Sequence, residues 1–227
     1  MPYTIYMDPK VTLEQRKQYA YKELGVTEKN IEGLEGMLAP LRTKHPVTHE
    51  HYEHSVRVAL VAMEIARFVH QDANALFYAG LLHDLGKIFT PISTLGKQKG
   101  WTADDSKIME AHCMDAFRMI VDRFLYSAHV IVRHHRFQGH RYPAELPPLP
   151  DFFGDETQVS IAFSARLLAL ADVYDAMHRV NDQTGGVALT GEEIRVRMIE
   201  QNIDQAHLVS ALYHAGILAT EIWDHAN

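Results

Sequence analysis

An apolar run, Tyr78-Ala79-Gly80-Leu81-Leu82, delivers His83 and Asp84 side by side, with Gly86 and Lys87 close behind. Imidazole and carboxylate are the side chains that hold iron, manganese, zinc or nickel. Adjacent side chains on a helix point about 100° apart, so one regular helical face does not hold both. At a helix end the pair can converge on one ion, or Asp84 can bridge two, and Gly86 supplies a helix stop. The competing reading is a core histidine followed by a charged turn.

The same side-chain types recur along the chain. Glu50 and His54 are four apart, on one face of a helix. His112 falls in the first half of another helical stretch, the doublet His134-His135 ends a third, and Asp172 lies within a long apolar one. Five histidines and three carboxylates are too many for a single ion and suit two or three ions sharing Asp84. Ions about 3.5–4 Å apart can clamp a phosphate and ionise a shared water. Lys87 adds a compact cation one turn after His83. Burying so many polar groups without partners would be costly, and metal would satisfy them together.

The elements that must position these residues read as helices throughout. Thr12-Leu13-Glu14-Gln15 fits a capping box, Gly25 a stop, and residues 28–39 a second helix ended by Pro40. Two helices in residues 1–45 form an extension that packs on the main body or joins two copies as a homodimer. Helices are then expected over about 48–70, 72–85, 102–125, 127–135, 158–179, 190–201 and 205–224. Between them, residues 138–156 are rich in proline and read as an ordered, functional loop. Gly185-Gly186 marks a turn. No alternation long enough for a sheet is present, so the fold class is all-α.

Composition narrows the function. The chain has 227 residues, 47% hydrophobic and 22% charged, and a net charge of -7. That balance suits a soluble globular protein and argues against general DNA or anionic-membrane binding. The single cysteine, Cys113, excludes an intrachain disulfide framework and fits the cytoplasm; it is expected to be packed rather than nucleophilic. No signal peptide or membrane-spanning run is read. His45, His49, His70, His207, His214 and His225 are taken as ordinary surface or structural histidines, His51 as structural, and Asp175 as a group that orients a ligand or caps a neighbour and does not bind metal.

In order, these blocks resemble the HD superfamily of metal-dependent phosphohydrolases, and within it the HD-GYP branch. The matching segments, over about residues 46–212, are Glu50…His54-Ser55-Val56-Arg57, Leu82-His83-Asp84-Leu85-Gly86-Lys87, Pro91…Leu95-Gly96-Lys97, His112, His134-His135, Tyr142-Pro143 and Ala165-Arg166…Ala171-Asp172-Val173-Tyr174-Asp175. The resemblance implies a compact multi-helix bundle, residues 46–227, with a metal site at its centre. It implies that His54, His83, Asp84 and Asp172 hold one ion, and that Asp84 bridges to a second on His112, His134 and His135. Glu50 would serve a third ion and Lys87 the scissile phosphate. Iron or manganese is the expected metal, with nickel, cobalt or zinc as alternatives. The implied substrate is cyclic di-GMP or another nucleotide phosphoester.

Two segments depart from the family pattern. His134-His135-Arg136-Phe137-Gln138-Gly139-His140-Arg141-Tyr142-Pro143 is one residue short, and Arg141 replaces the glycine before Tyr142. The basic segment expected after Met177 is replaced by residues 178–186. Arg136, Arg141 or Arg179 can supply substitute phosphate contacts, with Arg179 expected to be a surface charge and Tyr142 on the substrate side. Two other classes stay open: a di-iron oxygenase built on the same ligands, and a module that binds metal and nucleotide without turnover.

Overall fold

Each helix begins and ends where local chemistry directs it. The structure, a computed structural model, describes residues 10–97, 99–179 and 187–218; the expected Gly185-Gly186 turn, His225 and residues 219–224 of the expected last helix lie outside the described residues. Among the described residues there is no strand, and the all-α expectation holds.

Helix α1 (Leu13–Glu23) starts at the Thr12–Gln15 capping box, and Gly25 follows it with φ 64°, a left-handed conformation that favours glycine. Helix α2 (Glu28–Leu38) is capped by Thr27. Helix α3 (Pro46–Phe68) opens on Pro46, whose missing N–H costs nothing in a first turn. In α4 (Ala73–Leu82), the Asp72 carboxylate accepts from the Ala75 N–H. A short α5 (Ile92–Leu95) precedes α6 (Ala103–Ile120), which begins at a Thr102–Asp105 capping box. Then come α7 (Leu125–Ile131), α8 (Asp155–Met177), α9 (Gly191–Gln201) and α10 (Ala206–His214).

Several boundaries differ from the sequence expectation: the helix expected to reach Leu125 stops at Ile120, the last one ends at His214, and two of the differences fall at the candidate ligands. Helix α4 ends at Leu82, and a 3-10 turn over Leu85–Phe89 follows, so His83 and Asp84 sit between two helical segments. Helix α7 stops at Ile131, and His134-His135 open a second 3-10 turn, His134–Phe137. Helix α8 starts three residues before the expected Gln158, because Gly154 takes the cap and Asp155 and Glu156 complement the helix dipole.

Helix α4 is the buried centre. Leu76, Phe77, Ala79, Leu81 and Leu82 are inaccessible. It packs most extensively on α3, and also on α7 and α8. Gly80 sets the α3–α4 spacing, since a methyl group there would fall against the backbone of Ala59. Gly86 brings the Leu85–Phe89 turn onto α6, where a methyl would meet the His112 carbonyl and lie 2.8 Å from the Ala116 nitrogen. Helix α9 packs on α8 and α10 on α9, burying Ile194, Met198, Val209 and Leu212.

Helix α1 lies on α3, with Lys17 fully buried between them. Its Nζ donates to the Tyr52 hydroxyl at 2.7 Å and pairs with Glu35 at 2.6 Å and Glu14 at 3.0 Å. A buried cation is tolerable only with such partners, so α1, α2 and the first turns of α3 are tied together. Among the described residues, no helix is long and apolar enough to cross a membrane.

Candidate metal centre

Five helical segments each deliver ligand-type side chains to one buried spot. The first turns of α3 bring His54, the α4 end brings His83 and Asp84, α6 brings His112, the turn after α7 brings His134 and His135, and α8 brings Asp172. All seven are buried.

Three of the imidazoles are aimed by the same device. His83, His112 and His134 each donate Nδ1–H to the carbonyl three residues earlier, on Gly80 at 2.8 Å, Met109 at 2.5 Å and Ile131 at 2.6 Å. Gly80 and Ile131 lie in the last turns of their helices, whose carbonyls have no partner within the helix. Satisfying them fixes the tautomer and leaves each Nε2 as the inward acceptor, the form a metal ion needs. His54 is aimed differently. Its Nδ1 lies 2.6 Å from Asp175 Oδ2, while Asp175 Oδ1 accepts from Arg57 Nε at 2.6 Å. Asp175, three residues after Asp172 on α8, thus holds the His54 ring and the Arg57 side chain.

Asp84 is at the middle. Its Oδ2 lies 3.4 Å from the Nε2 atoms of both His54 and His83, and its Oδ1 lies 3.4 Å from His112 Nε2. Asp172 Oδ1 is 3.2 Å from His54 Nε2 and 3.8 Å from His83 Nε2. The rings of His134 and His135 are 3.9 Å apart, and that of His112 is 5.2 Å from His135.

These residues fit metal ions. Metal–nitrogen bonds of about 2.1 Å put neighbouring ligand atoms about 3.0 Å apart in an octahedron and about 3.4 Å apart in a tetrahedron. The separations around Asp84 match those edges. His134 Nε2 and His135 Nδ1 are buried and have no hydrogen-bond partner among the described residues, which a bound cation would supply. Three groups have ligand atoms mutually within 4.8 Å: His54, His83 and Asp84; His83, His134 and Asp172; and His112, Cys113, His134 and His135.

The protonation states agree. Burial depresses His83 to about 4 and His112 to about 3, and lowers His134 and His135 as well, so these imidazoles are neutral. Burial opposes ionisation of Asp84 and Asp172, yet the His54 ring beside both, and Lys87 beside Asp84, hold them well below the carboxylate range. His54 stands apart. Burial and Arg179 oppose its charge, but hydrogen bonds to Asp172, Asp175 and Asp84 raise it to about 9.

The other expected site residues are placed less centrally. Lys87 Nζ lies 2.5 Å from Asp84 Oδ2, at the edge of the cluster. Glu50 is half exposed and accepts from Arg57 Nη2 at 2.8 Å, outside the three groups. Tyr142 stacks on the His135 ring, centroids 4.3 Å apart. Arg141 is exposed beside it. Arg136 donates to the carbonyls of Pro143 at 2.8 Å and Ala144 at 3.2 Å, and so braces the loop that carries Tyr142. Arg179 is less of a surface charge than expected: it is partly exposed, 3.4 Å from Asp175 and 3.9 Å from Glu50, because the end of α8 brings it to the first turns of α3. Phe152 is mostly exposed and meets the Phe153 ring edge-on, and Phe153 packs on the core beside the His129 ring.

His51, taken as structural, lies beside the cluster and in none of its three groups. Its Nδ1 lies 3.9 Å from Asp84 Oδ2, without a hydrogen-bond partner among the described residues, and burial and Lys87 push it down to about 2. Its spacing of three from His54 was the available signal for that placement. His45, His49, His70, His207 and His214 are exposed, as expected.

Comparison with known proteins bears on the family and the fold. The model of the HD domain family matches residues 51–177. A cyclic di-GMP phosphodiesterase of Pseudomonas aeruginosa is 30% identical over 82% of this chain and 42% of its own length. The cyclic di-GMP phosphodiesterase response regulator RpfG of Xanthomonas campestris is 29% identical over 74% of this chain and 42% of its own. The chain therefore spans about two fifths of the length of these curated relatives. The HD domain of the Listeria monocytogenes phosphodiesterase PgpH superimposes with a TM-score of 0.53 at 18% identity, covering 82% of this chain and 95% of that one, a likeness of fold. With the family match extending from α3 to the end of α8, over the segments that carry all seven clustered residues, this chain belongs to the HD domain family.

Proposed function

We propose that this chain is a metal-dependent phosphodiesterase that opens a cyclic dinucleotide to a linear product. The observation that carries this reading is the two-sided placement of Asp84, with Oδ2 toward His54 and His83 and Oδ1 toward His112. A carboxylate with imidazoles on both faces suits a pair of ions. The names of the relatives support the substrate class, since two are called cyclic di-GMP phosphodiesterases and another, from Vibrio cholerae, a 3'3'-cGAMP-specific phosphodiesterase.

His54, His83, Asp84 and Asp172 would hold one ion, and Asp84, His112, His134 and His135 the other, with Glu50 in reach of a third only by leaving Arg57. Iron or manganese is the first choice, with nickel, cobalt or zinc as alternatives. Bound there, divalent ions polarise phosphoryl oxygens and lower the pKa of water.

The chain's own groups do the positioning. The Nδ1 anchors at Gly80, Met109, Ile131 and Asp175 hold the four imidazoles in place before substrate arrives, so little reorganisation is left for the reaction. Lys87 is the mobile cation. Its Nζ rests on Asp84 and can swing to a phosphate oxygen, adding charge stabilisation as charge builds on the transferring group. Tyr142, seated on His135, offers an aromatic face toward a base, with Arg141 beside it for a phosphate. Water oxygen bonds to phosphorus, the ribose oxygen departs, and the proton that water loses ends on that ribose oxygen.

The test is incubation of the purified chain, loaded with manganese or with ferrous iron, with cyclic di-GMP, 3'3'-cGAMP and simple phosphodiesters. Linear dinucleotide as the product supports the reading. Metal and dinucleotide bound without turnover would instead make it a binding module. Oxygen consumption with an organic substrate, dependent on iron, would make it an oxygenase.

A further inference from the structure

Cys113 lies next to His112 on α6 and is fully buried. Adjacent residues on a helix diverge by about 100°, which ordinarily sends the second side chain elsewhere. Here its Sγ lies 3.4 Å from His112 Nε2, the atom that faces Asp84 Oδ1. Sulfur is therefore on the ligand side of the imidazole and not behind it.

Its surroundings are also those of a ligand. The sulfur forms one group with ligand atoms of His112, His134 and His135, all mutually within 4.8 Å. Two of those partners contribute buried atoms with no hydrogen-bond partner among the described residues, His134 Nε2 and His135 Nδ1. Around one ion, a sulfur at about 2.3 Å and a nitrogen at about 2.1 Å lie about 3.6 Å apart at a tetrahedral angle and about 3.1 Å apart at a right angle. The observed separation from His112 falls between the two.

We propose that Cys113 is a metal ligand, joining His112, His134 and His135 so that one of the two ions sits in a sulfur-containing set. This rests on the reading of the cluster as a metal centre. The Sγ–H proton leaves to solvent as the metal–sulfur bond forms, as for any cysteine ligand. The two subsites then differ in kind. The one on His54, His83 and Asp172 offers nitrogen and oxygen alone, whereas the one on His112 adds a soft thiolate. Soft sulfur favours zinc, ferrous iron or cobalt over manganese or magnesium. One subsite would thus discriminate against hard ions that the other accepts.

Cobalt reads this directly, because a cobalt–thiolate bond gives an intense near-ultraviolet charge-transfer absorption that nitrogen and oxygen ligands do not give. The full chain is stripped with chelator, reloaded with cobalt, assayed for bound metal and scanned, alongside Cys113→Ala. The expected result is a charge-transfer band in the wild type that is lost in the variant while cobalt is still bound. Cobalt bound to the wild type with no such band would overturn the proposal and leave the metal centre standing. No cobalt bound to the wild type would overturn both. The wild-type spectrum decides even if the variant fails to fold.

Discussion

His54 Nδ1 and Asp175 Oδ2, on residues 121 positions apart in sequence, meet at 2.6 Å. This contact joins α3 to α8 and determines which edge of the imidazole faces Asp84. Arg57 holds the other oxygen of the same carboxylate. Replacing Asp175 by Asn keeps the shape but removes the charge that pairs with both. Partners of this kind behind a ligand typically contribute 10–100-fold in metal affinity. Calorimetric titration of chelator-treated Asp175→Asn with manganese should show about that loss. Unchanged affinity would mean that His54 is aimed by packing alone.

Gly86 links the fold to the site through a close approach. A methyl there would meet the His112 carbonyl, so Gly86→Ala must push the Asp84 turn away from α6. Overpacking of this kind costs about 1–3 kcal/mol, measurable by urea unfolding. Bound metal should fall too, because Asp84 and His112 move apart. Gly36→Ala, in α2 with nothing near its added methyl, is the control and should leave metal content unchanged. Wild-type metal content in Gly86→Ala would show that this approach does not set the Asp84–His112 distance.

The sequence made the inventory of the site legible, because imidazole and carboxylate stand out in apolar helices. His83-Asp84, the doublet His134-His135 and Asp172 could be named from type and position. How they are aimed was not legible. The Nδ1 bonds to Gly80 and Ile131 depend on where α4 and α7 stop, and the helical periodicity overran both ends. His51 looked like part of a wet helix terminus. Its burial, and the charges of Lys87 and Arg179 that act on it, come from groups remote in sequence. Arg136 looked free for phosphate, yet it is engaged with loop carbonyls that only tertiary structure brings to it. Lys17 is a similar case, an ordinary helix-face lysine until Tyr52 and Glu35 close around it.

Chelator-treated protein should lose stability in acid for a definable reason. His83 and His112 titrate at about 4 and about 3 when folded, against 6.5 in an open chain. Below 6.5 the unfolded chain takes up protons that the folded one refuses, so their contribution is complete above 6.5 and is lost as pH falls toward 4. His54 acts in the opposite sense: raised to about 9, its contribution is present below 6.5 and lost as pH rises through 9. The lowered histidines outnumber it. Melting temperature is therefore expected to fall steadily from pH 7 to pH 4.5. A flat profile over that range would show that these imidazoles are not buried in neutral form.

The central claim is that Asp84 serves two ions at once. Its most direct test is the metal content of purified Asp84→Asn beside the wild type, by elemental analysis, with hydrolysis of cyclic di-GMP measured on the same samples. Asn preserves the volume while removing the charge shared by His54, His83 and His112. The expected result is at least two ions per wild-type chain, one or none in the variant, and hydrolysis lost with them. A variant that keeps both the wild-type metal content and its turnover would contradict the assignment of Asp84 as the bridge.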